Sequence, residues 1–520
     1  MKKYTVEKKT TVQNSVMRLI FVAFSIVIQV VWLLVIYYHF AENYSWISVI
    51  TSVVALVISI GIYSKRINSN MRLTWIMVVT VFPVFGVLLY LLVGLNGPTI
   101  SMKKRFNYID NEVGKILPDC DDVINEVSEE NCAVAGQMTY LKRYSGFPVF
   151  NDSKIEYYSD ALDCLEAMKV ELKKAKEFIF IEYHAIEEAE AFNGILDILK
   201  QKVKEGVIVR IIYDDIGSFT FIDKNFVKRM EEFNIDCRIF NPMMPFFNVF
   251  LNNRDHRKIT VIDGKVGFTG GFNLANEYFH ITEPYGFWKD TGVKIEGNAV
   301  VNLIGMFLEM WNGIRPSDEK ERELETSFMQ KKATCFQNVG YIQPYADNPM
   351  DDEYVGENVY LNVINNAHKY VYFITPYLII TDEMIRALTL AAKRGVDVRI
   401  ITPGVPDKKL TYRITRSFYR NLTESGVRIF EFTPGFCHAK QCISDDIVAT
   451  CGTINLDYRS LYHHFENGVL MYKSDAIFDM KKDFEDCFSK SKEVTSDYSS
   501  GRVGRMRFLD LILRVISPLM

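Results

Sequence analysis

The sequence lacks the cysteine spacing that builds zinc sites and disulfide frameworks. It contains nine cysteines, an odd number, and no two of them form a CxxC pair. Cysteines paired at short, repeated spacing are the usual signature of structural zinc or of a disulfide-stabilised scaffold. We therefore expect reduced thiols, no metal site and no cofactor.

The chain as a whole also has no large excess of positive or negative charge. Lysine and arginine number 60 against 64 aspartate and glutamate residues, so the net charge is −4. Proteins that recognise nucleic acid usually carry a strong basic field. Because this chain has no such field, its composition argues against a nucleic-acid partner.

Three long runs without charge occupy the N-terminal part of the chain. Residues 19–38 have the length and character of a membrane-spanning helix, and residues 47–63 and 73–93 form two further runs. A cleaved signal peptide is the alternative for the first run, but no small-residue cleavage site follows it. We expect residues 1–98 to form a membrane anchor with two to three hydrophobic segments.

The charges around these runs predict the side of the membrane. Basic residues precede the first run and follow the second, which favours placing both of those ends in the cytoplasm. Pro83 and Gly86 lie in the middle of the third run, where a helix can kink or double back. We expect a multi-pass protein of the plasma membrane whose third segment is re-entrant or strongly tilted, so that the rest of the chain faces the cytoplasm.

Two matched polar motifs dominate the remainder of the chain. Each follows one template: His, any residue, Lys, four residues, Asp, six residues, Gly, two residues, Asn. The template residues with polar side chains are His256, Lys258, Asp263 and Asn273 in the first copy and His438, Lys440, Asp445 and Asn455 in the second. Neither copy contains a hydrophobic period that would require these residues for packing.

The residue types in the motifs suit phosphoryl chemistry. Imidazole is a nucleophile or proton shuttle near neutral pH, and ammonium groups hold phosphate oxygens. With two copies, one histidine can attack the phosphorus of a phosphodiester while the other protonates the leaving oxygen. The lysine and asparagine side chains would stabilise charge on the remaining oxygens without a metal. The alternative, core histidines and surface lysines, is disfavoured by the matched spacing.

The segments that precede each motif repeat as well. Predicted strands at 178–183, 207–213 and 235–240 precede the first motif, and strands at 370–375, 396–401 and 427–432 precede the second. Strands that alternate with helices favour an α/β fold with a mostly parallel, helix-covered sheet. We expect a connector at 99–148 and two pseudo-symmetric lobes, 149–330 and 331–498, that meet at a central cleft.

The paired motifs resemble the HxK-D signature of the phospholipase D superfamily. The flanking words narrow the resemblance to the bacterial cardiolipin synthases: Glu182-Tyr183, Asn253-Arg254-Asp255, Trp288-Lys289-Asp290-Thr291, Thr375-Pro376-Tyr377 and Asn455-Leu456-Asp457-Tyr458-Arg459-Ser460. The resemblance implies a phosphatidyltransferase that joins two phosphatidylglycerol molecules and releases glycerol. It also implies a phosphatidyl-histidine intermediate on His256, with His438 as acid and base, and an anionic membrane lipid as partner.

The same resemblance suggests roles for the acidic residues. Glu466 matches the family position whose carboxylate hydrogen-bonds the active-site histidine, and Asp290 is its counterpart in the first half. Asp263 and Asp445, which belong to the signature, either take part in catalysis or orient loops. His184 is expected to cap a strand. Of the neighbours His463 and His464, at most one can face the cleft.

Three other activities remain open from the sequence. A phospholipase D-type hydrolase needs the same residues and differs only in using water as acceptor, and a phosphatidylserine-forming transferase differs in its lipid acceptor. A membrane-tethered nuclease is disfavoured by the net acidity. The tail, residues 499–520, interleaves four arginines with apolar residues. It is expected either to lie on an anionic membrane surface or to pack on its own lobe.

Overall fold

The computed structural model describes residues 45–94, 97–242, 253–500 and 508–519, together with the single positions 24, 28, 31 and 35. Its longer helices are Ser45–Tyr63, Ser69–Val81, Gly97–Gly114, Asp121–Glu130, Cys132–Tyr144, Ala161–Lys174, Glu190–Lys204, Val300–Ile314, Glu319–Met329, Val355–Asn366, Asp382–Lys393, Lys409–Thr423 and Ala476–Ser489. Shorter helices are Pro83–Leu89, Asp215–Ser218, Phe226–Glu232, Tyr458–Tyr462, Thr495–Ser499 and Phe508–Ile516. A π-helix covers Tyr90–Gly94, and 3₁₀ turns cover Asn276–Phe279 and Ser517–Leu519.

The strands are numbered in chain order. The first group is β1 Lys154–Tyr158, β2 Phe178–Tyr183, β3 Ile208–Asp214, β4 Asp236–Phe240, β5 Arg254–Asp255, β6 Lys258–Ile262, β7 Val266–Gly270, β8 Phe287–Lys289 and β9 Gly292–Glu296. The second group is β10 Tyr341–Asp347, β11 Tyr370–Ile374, β12 Leu378–Ile379, β13 Asp397–Pro403, β14 Arg428–Phe432, β15 Gly435–Cys437, β16 Gln441–Ser444, β17 Val448–Gly452, β18 Leu456–Asp457, β19 His464–Tyr472 and β20 Ser491–Glu493.

Two sheets organise the chain into two lobes. The sheet of the first lobe has the order β1-β9-β7-β6-β2-β3-β4, and the sheet of the second lobe has the order β10-β19-β17-β16-β11-β13-β14-β20 with β5 added beside β19. In the first lobe β2, β3 and β4 run parallel, and in the second lobe β11, β13 and β14 do the same. The predicted α/β class with two related lobes is confirmed.

The prediction that these sheets are mostly parallel was wrong. From β1 through β9, β7 and β6 to β2 every neighbouring pair is antiparallel, and so is every pair from β10 through β19, β17 and β16 to β11. The reason is the short connection after each HxK strand. Only three residues separate Ile262 from Val266, too few for the crossover that a parallel pair requires.

One buried helix joins the cores of the two lobes. Val300–Ile314 is apolar on nearly all sides, and a helix of that kind belongs in a protein interior. Its Phe307 stacks on Phe180 of β2, with 4.4 Å between ring centroids. The same hydrophobic cluster includes Val469 of β19 in the second lobe. The two lobes therefore share one core.

Two short parallel pairings connect the lobes through their main chains. β5 of the first lobe pairs with β19, and β15 of the second lobe pairs with β8. Each of these strands, β5 and β15, ends at the residue before a motif histidine. The chain therefore delivers both motifs to the boundary between the lobes.

The N-terminal helices form a hairpin that packs on the second lobe. The amide of Asn70 donates to the hydroxyl of Tyr458 at 2.7 Å. The third hydrophobic run is broken before Pro83, which begins a new helix, and a Cβ on Gly86 would lie 2.2 Å from the carbonyl oxygen of Val78. The predicted break at Pro83, where the chain doubles back, is therefore confirmed.

The structure does not confirm the predicted membrane spans. Across the described ranges, no helix has both the length and the apolar character needed to cross a membrane. The run 47–63 falls within the helix Ser45–Tyr63, whereas the run 19–38 lies outside the described residues apart from four single positions.

The last helix of the chain packs on the second lobe. Arg413 of the helix Lys409–Thr423 forms an ion pair with Asp510, and the guanidinium of Arg514 lies 4.4 Å from the ring centroid of Phe418. The hydroxyl of Thr74 donates to the carbonyl of Val515 at 2.7 Å. For residues 508–519, packing on the protein's own lobe is thus the arrangement present. Residues 501–507 lie outside the described ranges.

Candidate active site

Each motif histidine is anchored by the main chain of the other lobe. The N–H of His256 donates to the carbonyl of Phe465 at 2.8 Å, and the N–H of His438 donates to the carbonyl of Lys289 at 2.7 Å. These bonds continue the β5–β19 and β15–β8 pairings by one residue. Both histidines are nearly enclosed, with 7% of each residue exposed.

Each motif histidine is oriented by a carboxylate that belongs to the other lobe. Nδ1 of His256 lies 2.9 Å from Oε2 of Glu466, which belongs to β19 of the second lobe. Nδ1 of His438 lies 2.7 Å from Oδ2 of Asp290, which follows β8 of the first lobe. Both predicted hydrogen bonds are present. A carboxylate that accepts from Nδ1–H leaves Nε2 with a free electron pair, ready to attack or to accept a proton.

The two motif lysines are buried beside the histidines. Nζ of Lys258 donates to the carbonyl of His256 at 2.7 Å, and Nζ of Lys440 lies 2.6 Å from Nδ1 of His438 and 3.5 Å from the carbonyl oxygen of Gly271. Gly271 belongs to the first lobe, so Lys440 reaches across the boundary. The positive charges of both lysines therefore collect where the lobes meet.

Asp263 and Asp445 do not join the histidines. The carboxylate of Asp263 accepts backbone N–H groups from Lys176, Glu177 and Phe178, at 2.8 to 3.0 Å. It follows the last residue of β6, about 16 Å of extended chain from Lys258.

Asp445 does the same in the second lobe. It accepts from the backbone of His368, Lys369 and Tyr370 at 2.7 to 2.8 Å. Both aspartates hold the loop that enters the neighbouring strand, β2 or β11, so the structure corrects their placement among the catalytic residues.

The two motif asparagines have different surroundings. Oδ1 of Asn273 accepts from the backbone of Ala185, and its amide donates to the hydroxyl of Tyr278 at 2.7 Å. Oδ1 of Asn455 is buried and has no hydrogen-bond partner among the described residues. Asn273 is therefore placed to orient the chain at Ala185 and Tyr278. The Oδ1 atom of Asn455, in contrast, is available to accept a hydrogen bond from a hydroxyl group of the substrate.

Both imidazoles are held in the neutral form. Burial, followed by the charges of Lys258 and His184, lowers the pKa of His256 well below its usual value. Burial and Lys440 lower the pKa of His438 to about 4, although Asp290 acts in the opposite direction. Neutral imidazole is the form that can act as a nucleophile.

The two carboxyl groups differ in charge. Burial acts to raise the pKa of Asp290, but Lys440 and His438 outweigh it and lower that pKa below its usual value. Burial raises the pKa of Glu466 well above its usual value, although Lys258 and the hydroxyls of Ser460 and Thr453 act to lower it. The half-site of His438 therefore contains the more firmly ionised carboxylate, which favours an imidazolium there.

Burial also makes the lysines readily titratable. It lowers the pKa of Lys258 to about 7 and that of Lys440 to about 8. A phosphodiester anion between the two ammonium groups would compensate their charges and favour their protonated forms. The site is thus organised to bind an anionic group. Without that group, keeping two buried lysines charged costs free energy.

Sequence reasoning missed the ion pair of Arg257 and the packing of two histidine rings against His256. Arg257, the middle residue of the first motif, is fully buried and pairs with Glu309 at 2.8 Å. The rings of His184 and His464 flank His256, with centroids 4.9 and 5.3 Å from its own. Glu309 lies far from the motif in the chain, so no local pattern could reveal its role. The adjacency of His464 to Phe465 and Glu466 was the signal available for that histidine.

A family model matches over half of the chain. The model described as cardiolipin synthase, phospholipase D-like domain, covers residues 168–307 and 360–488, which include both motifs. A second model, the phospholipase D-nuclease N-terminal region, covers residues 47–94.

Relatives match nearly the full length. An uncharacterized protein of Streptococcus mutans is 40% identical over 465 residues, 89% of this chain and 100% of the relative. A cardiolipin synthase of Halalkalibacterium halodurans is 31% identical over 478 residues, 91% of this chain and 93% of the relative. Cardiolipin synthase 2 of Bacillus cereus is 32% identical over 470 residues, 90% of each chain.

A solved structure shares the fold. The phosphatidylserine synthase of Haemophilus influenzae superimposes with a TM-score of 0.55 at 16% identity and covers 74% of this chain and 97% of its own. At that identity the likeness concerns the fold alone. The family model, the full-length relatives and the paired motifs agree, and the chain belongs to the phospholipase D-like cardiolipin synthases.

Proposed function

We propose that this enzyme joins two phosphatidylglycerol molecules to give cardiolipin and glycerol through a phosphatidyl-histidine intermediate. The observation that carries the proposal is the exchange of carboxylates, Glu466 to His256 and Asp290 to His438, with Lys258 and Lys440 beside them. Two imidazoles and two ammonium groups at one lobe boundary suit a single phosphodiester.

The first half-reaction transfers the phosphatidyl group to the enzyme. Nε2 of His256 attacks phosphorus and a P–N bond forms, while the P–O bond to the headgroup glycerol breaks. His438, protonated when the lipid anion compensates Lys440, gives its proton to the departing glycerol oxygen. The two lysines and Asn455 stabilise the charge on the non-bridging oxygens.

The second half-reaction returns the group to a lipid. A headgroup hydroxyl of a second phosphatidylglycerol attacks phosphorus, His438 takes the hydroxyl proton, and the P–N bond to His256 breaks. The cycle leaves both histidines as they began, with one cardiolipin and one glycerol formed.

The electrostatics support giving the nucleophilic role to His256. His438 faces Asp290, the carboxylate whose pKa is lowered, and the charge of Asp290 acts to raise the pKa of the His438 ring. The His256 pKa is lowered further by a nearby lysine and two further histidines. The ring that protonates more readily suits acid and base work, and the ring that stays neutral suits attack.

Phospholipid substrates place this enzyme at a membrane, and we propose that residues 1–98 anchor it. The helix Ser45–Tyr63 exposes a band of apolar side chains that includes Val49, Val53, Val57 and Ile60, each more than half exposed. Contiguous exposed apolar surface of this kind marks a contact with lipid or protein. Residues 99–148 then serve as connector, and the lobes at 149–330 and 331–498 face the cytoplasm.

The exposed cysteines offer a test of that orientation. Cys132 and Cys335 are exposed, whereas Cys164 and Cys442 are buried. A membrane-impermeant thiol reagent is expected to label Cys132 and Cys335 in inverted vesicles and not in intact cells. Labelling in intact cells would place the lobes outside.

Product analysis separates transfer from hydrolysis. Purified full-length protein in mixed micelles with labelled phosphatidylglycerol is expected to yield cardiolipin and glycerol in equal amounts. Phosphatidic acid without cardiolipin would identify a hydrolase, and a product formed only when serine is added would identify a phosphatidylserine-forming transferase.

Trapping the intermediate tests the assignment of the histidines. His438→Ala retains the nucleophile but cannot protonate glycerol or activate the acceptor, so a phosphorus adduct on His256 should accumulate slowly. His256→Ala should form none. An adduct on His438 in the His256→Ala enzyme would reverse the roles.

A further inference from the structure

Both ring nitrogens of His464 are buried, although its side chain as a whole is 11% exposed. His464 opens β19, and neither of its ring nitrogens has a hydrogen-bond partner within the described ranges. A buried polar group left unpaired costs about 1–3 kcal/mol, so such a group in a native fold calls for an explanation. The nearest polar groups are a carboxylate oxygen of Glu466, 3.6 Å from its Nδ1, and the ring of His256.

We propose that His256, His464 and Glu466 form a binding site for a divalent transition-metal ion of the zinc class. One ring nitrogen of each histidine and one carboxylate oxygen lie within 4.8 Å of one another. Two histidines and one glutamate, with a fourth position open, are the ligand set of many zinc sites.

The distances fit a metal of that size. Zinc binds nitrogen and oxygen at about 2.0–2.2 Å in tetrahedral geometry, which separates any two ligand atoms by about 3.4 Å. Nδ1 of His256 lies 2.9 Å from Glu466, and Nδ1 of His464 lies 3.6 Å from it. The ligand atoms all lie within 4.8 Å of one another, so shifts of at most about 1.4 Å would bring the three ligands around one ion.

Surrounding groups hold the ligands in place. The hydroxyls of Ser460 and Thr453 donate to Oε1 and Oε2 of Glu466, and hydrogen bonds of this kind fix the orientation of a metal-binding carboxylate. The main-chain bond from His256 to Phe465 ties the first ligand to the strand that carries the other two. The ammonium of Lys258 opposes a cation here, which favours weak, reversible occupation over a permanent metal.

The site was invisible to an analysis based on cysteine spacing, which predicted no metal. Its ligands come from both lobes, and two of them, His464 and Glu466, alternate along one strand. Such a set does not form any of the usual sequence patterns for zinc.

Metal binding and lipid transfer exclude each other, a consequence that rests on the proposed function. A metal ion would take the imidazole of His256 that must attack phosphorus. Zinc is therefore expected to act as a reversible inhibitor that competes with formation of the phosphatidyl-histidine intermediate.

The test uses cobalt as a spectroscopic probe of the full-length protein in micelles. Co²⁺ in a site with nitrogen and oxygen ligands gives visible absorption bands, which Zn²⁺ should abolish by displacement. The bands are expected in the wild-type enzyme and in the control variant His463→Asn, and not in His464→Asn. In parallel, inhibition of transfer by Zn²⁺, expressed relative to the activity of each protein without metal, should need at least tenfold more metal in His464→Asn than in the wild type.

The outcomes separate this site from the proposed function. Absence of Co²⁺ bands in the wild type, or equal bands in His464→Asn, overturns the metal site. Failure of every protein to make cardiolipin overturns the proposed function, yet the absorption titration still decides the metal site. If His464→Asn does not fold, as judged by circular dichroism, His464→Gln replaces it.

Discussion

Replacing Asp290 with asparagine removes the charge that orients His438 while keeping the size of the side chain. The carboxylate is buried, accepts from Nδ1 of His438 at 2.7 Å and has a lowered pKa. A hydrogen bond to a charged group contributes about 1.5–3 kcal/mol, which corresponds to roughly 10- to 150-fold in rate. The asparagine amide would also favour the wrong tautomer, and that error in a Ser-His-Asp triad lowers kcat by about 10⁴.

We therefore expect Asp290→Asn to lower kcat by about 10²- to 10⁴-fold, measured as initial rates of cardiolipin formation in mixed micelles. The matched control is Asp263→Asn, the same change in the signature aspartate of that lobe. Asparagine retains one oxygen for Glu177 and Phe178 and loses the acceptor for Lys176. The control should lose about 1–3 kcal/mol of unfolding free energy and keep the kcat of the folded enzyme.

Two results would refute this reasoning. A kcat for Asp290→Asn within tenfold of wild type would mean that the carboxylate does not orient His438. A large loss of kcat in folded Asp263→Asn, with its stability unchanged, would mean that Asp263 takes part in catalysis.

The other expected outcomes concern a glycine, a lysine and a buried ion pair. Gly271→Ala places a Cβ 2.1 Å from Oδ1 of Asp290, so it should displace the carboxylate and lower kcat as Asp290→Asn does. Burial lowers the pKa of Lys258 to about 7, below that of Lys440; because only the ammonium form holds phosphate, kcat/KM should persist below pH 7 and fall as the pH rises through it. Glu309→Gln removes the ion-pair partner of the buried Arg257 and should lower the unfolding free energy by about 3–5 kcal/mol in denaturant titrations; a loss below about 1 kcal/mol would contradict this.

The motif spacing predicted the participants of the site better than their arrangement. Matched offsets select His256, Lys258, His438 and Lys440 without reference to a fold. Which lobe supplies each carboxylate is a property of the β5–β19 and β15–β8 pairings. Those strands are two and three residues long, too short for an alternating pattern to be recognised.

The alternation of strands and helices in the sequence led to the wrong prediction of mostly parallel sheets. β2, β3 and β4, and their equivalents β11, β13 and β14, are apolar strands separated by helices, and they do run parallel. Extending that pattern to the HxK strands ignored the short turns that follow them. Asp263 and Asp445 have positive φ values of 53° and 57° at those turns, a conformation that aspartate tolerates and hairpins use. The signature aspartates therefore signalled hairpins, and this was overlooked.

The exchange of contacts between lobes constrains how the enzyme can turn over. The bonds from His256 to Phe465 and from His438 to Lys289 are main-chain hydrogen bonds across the boundary, and the carboxylates cross it in both directions. A hinge that opened the lobes would break all four bonds at once and release both imidazoles from their orientation. The shared core around the helix Val300–Ile314 would be exposed by the same motion. We therefore expect the two lobes to stay together while substrate and product exchange.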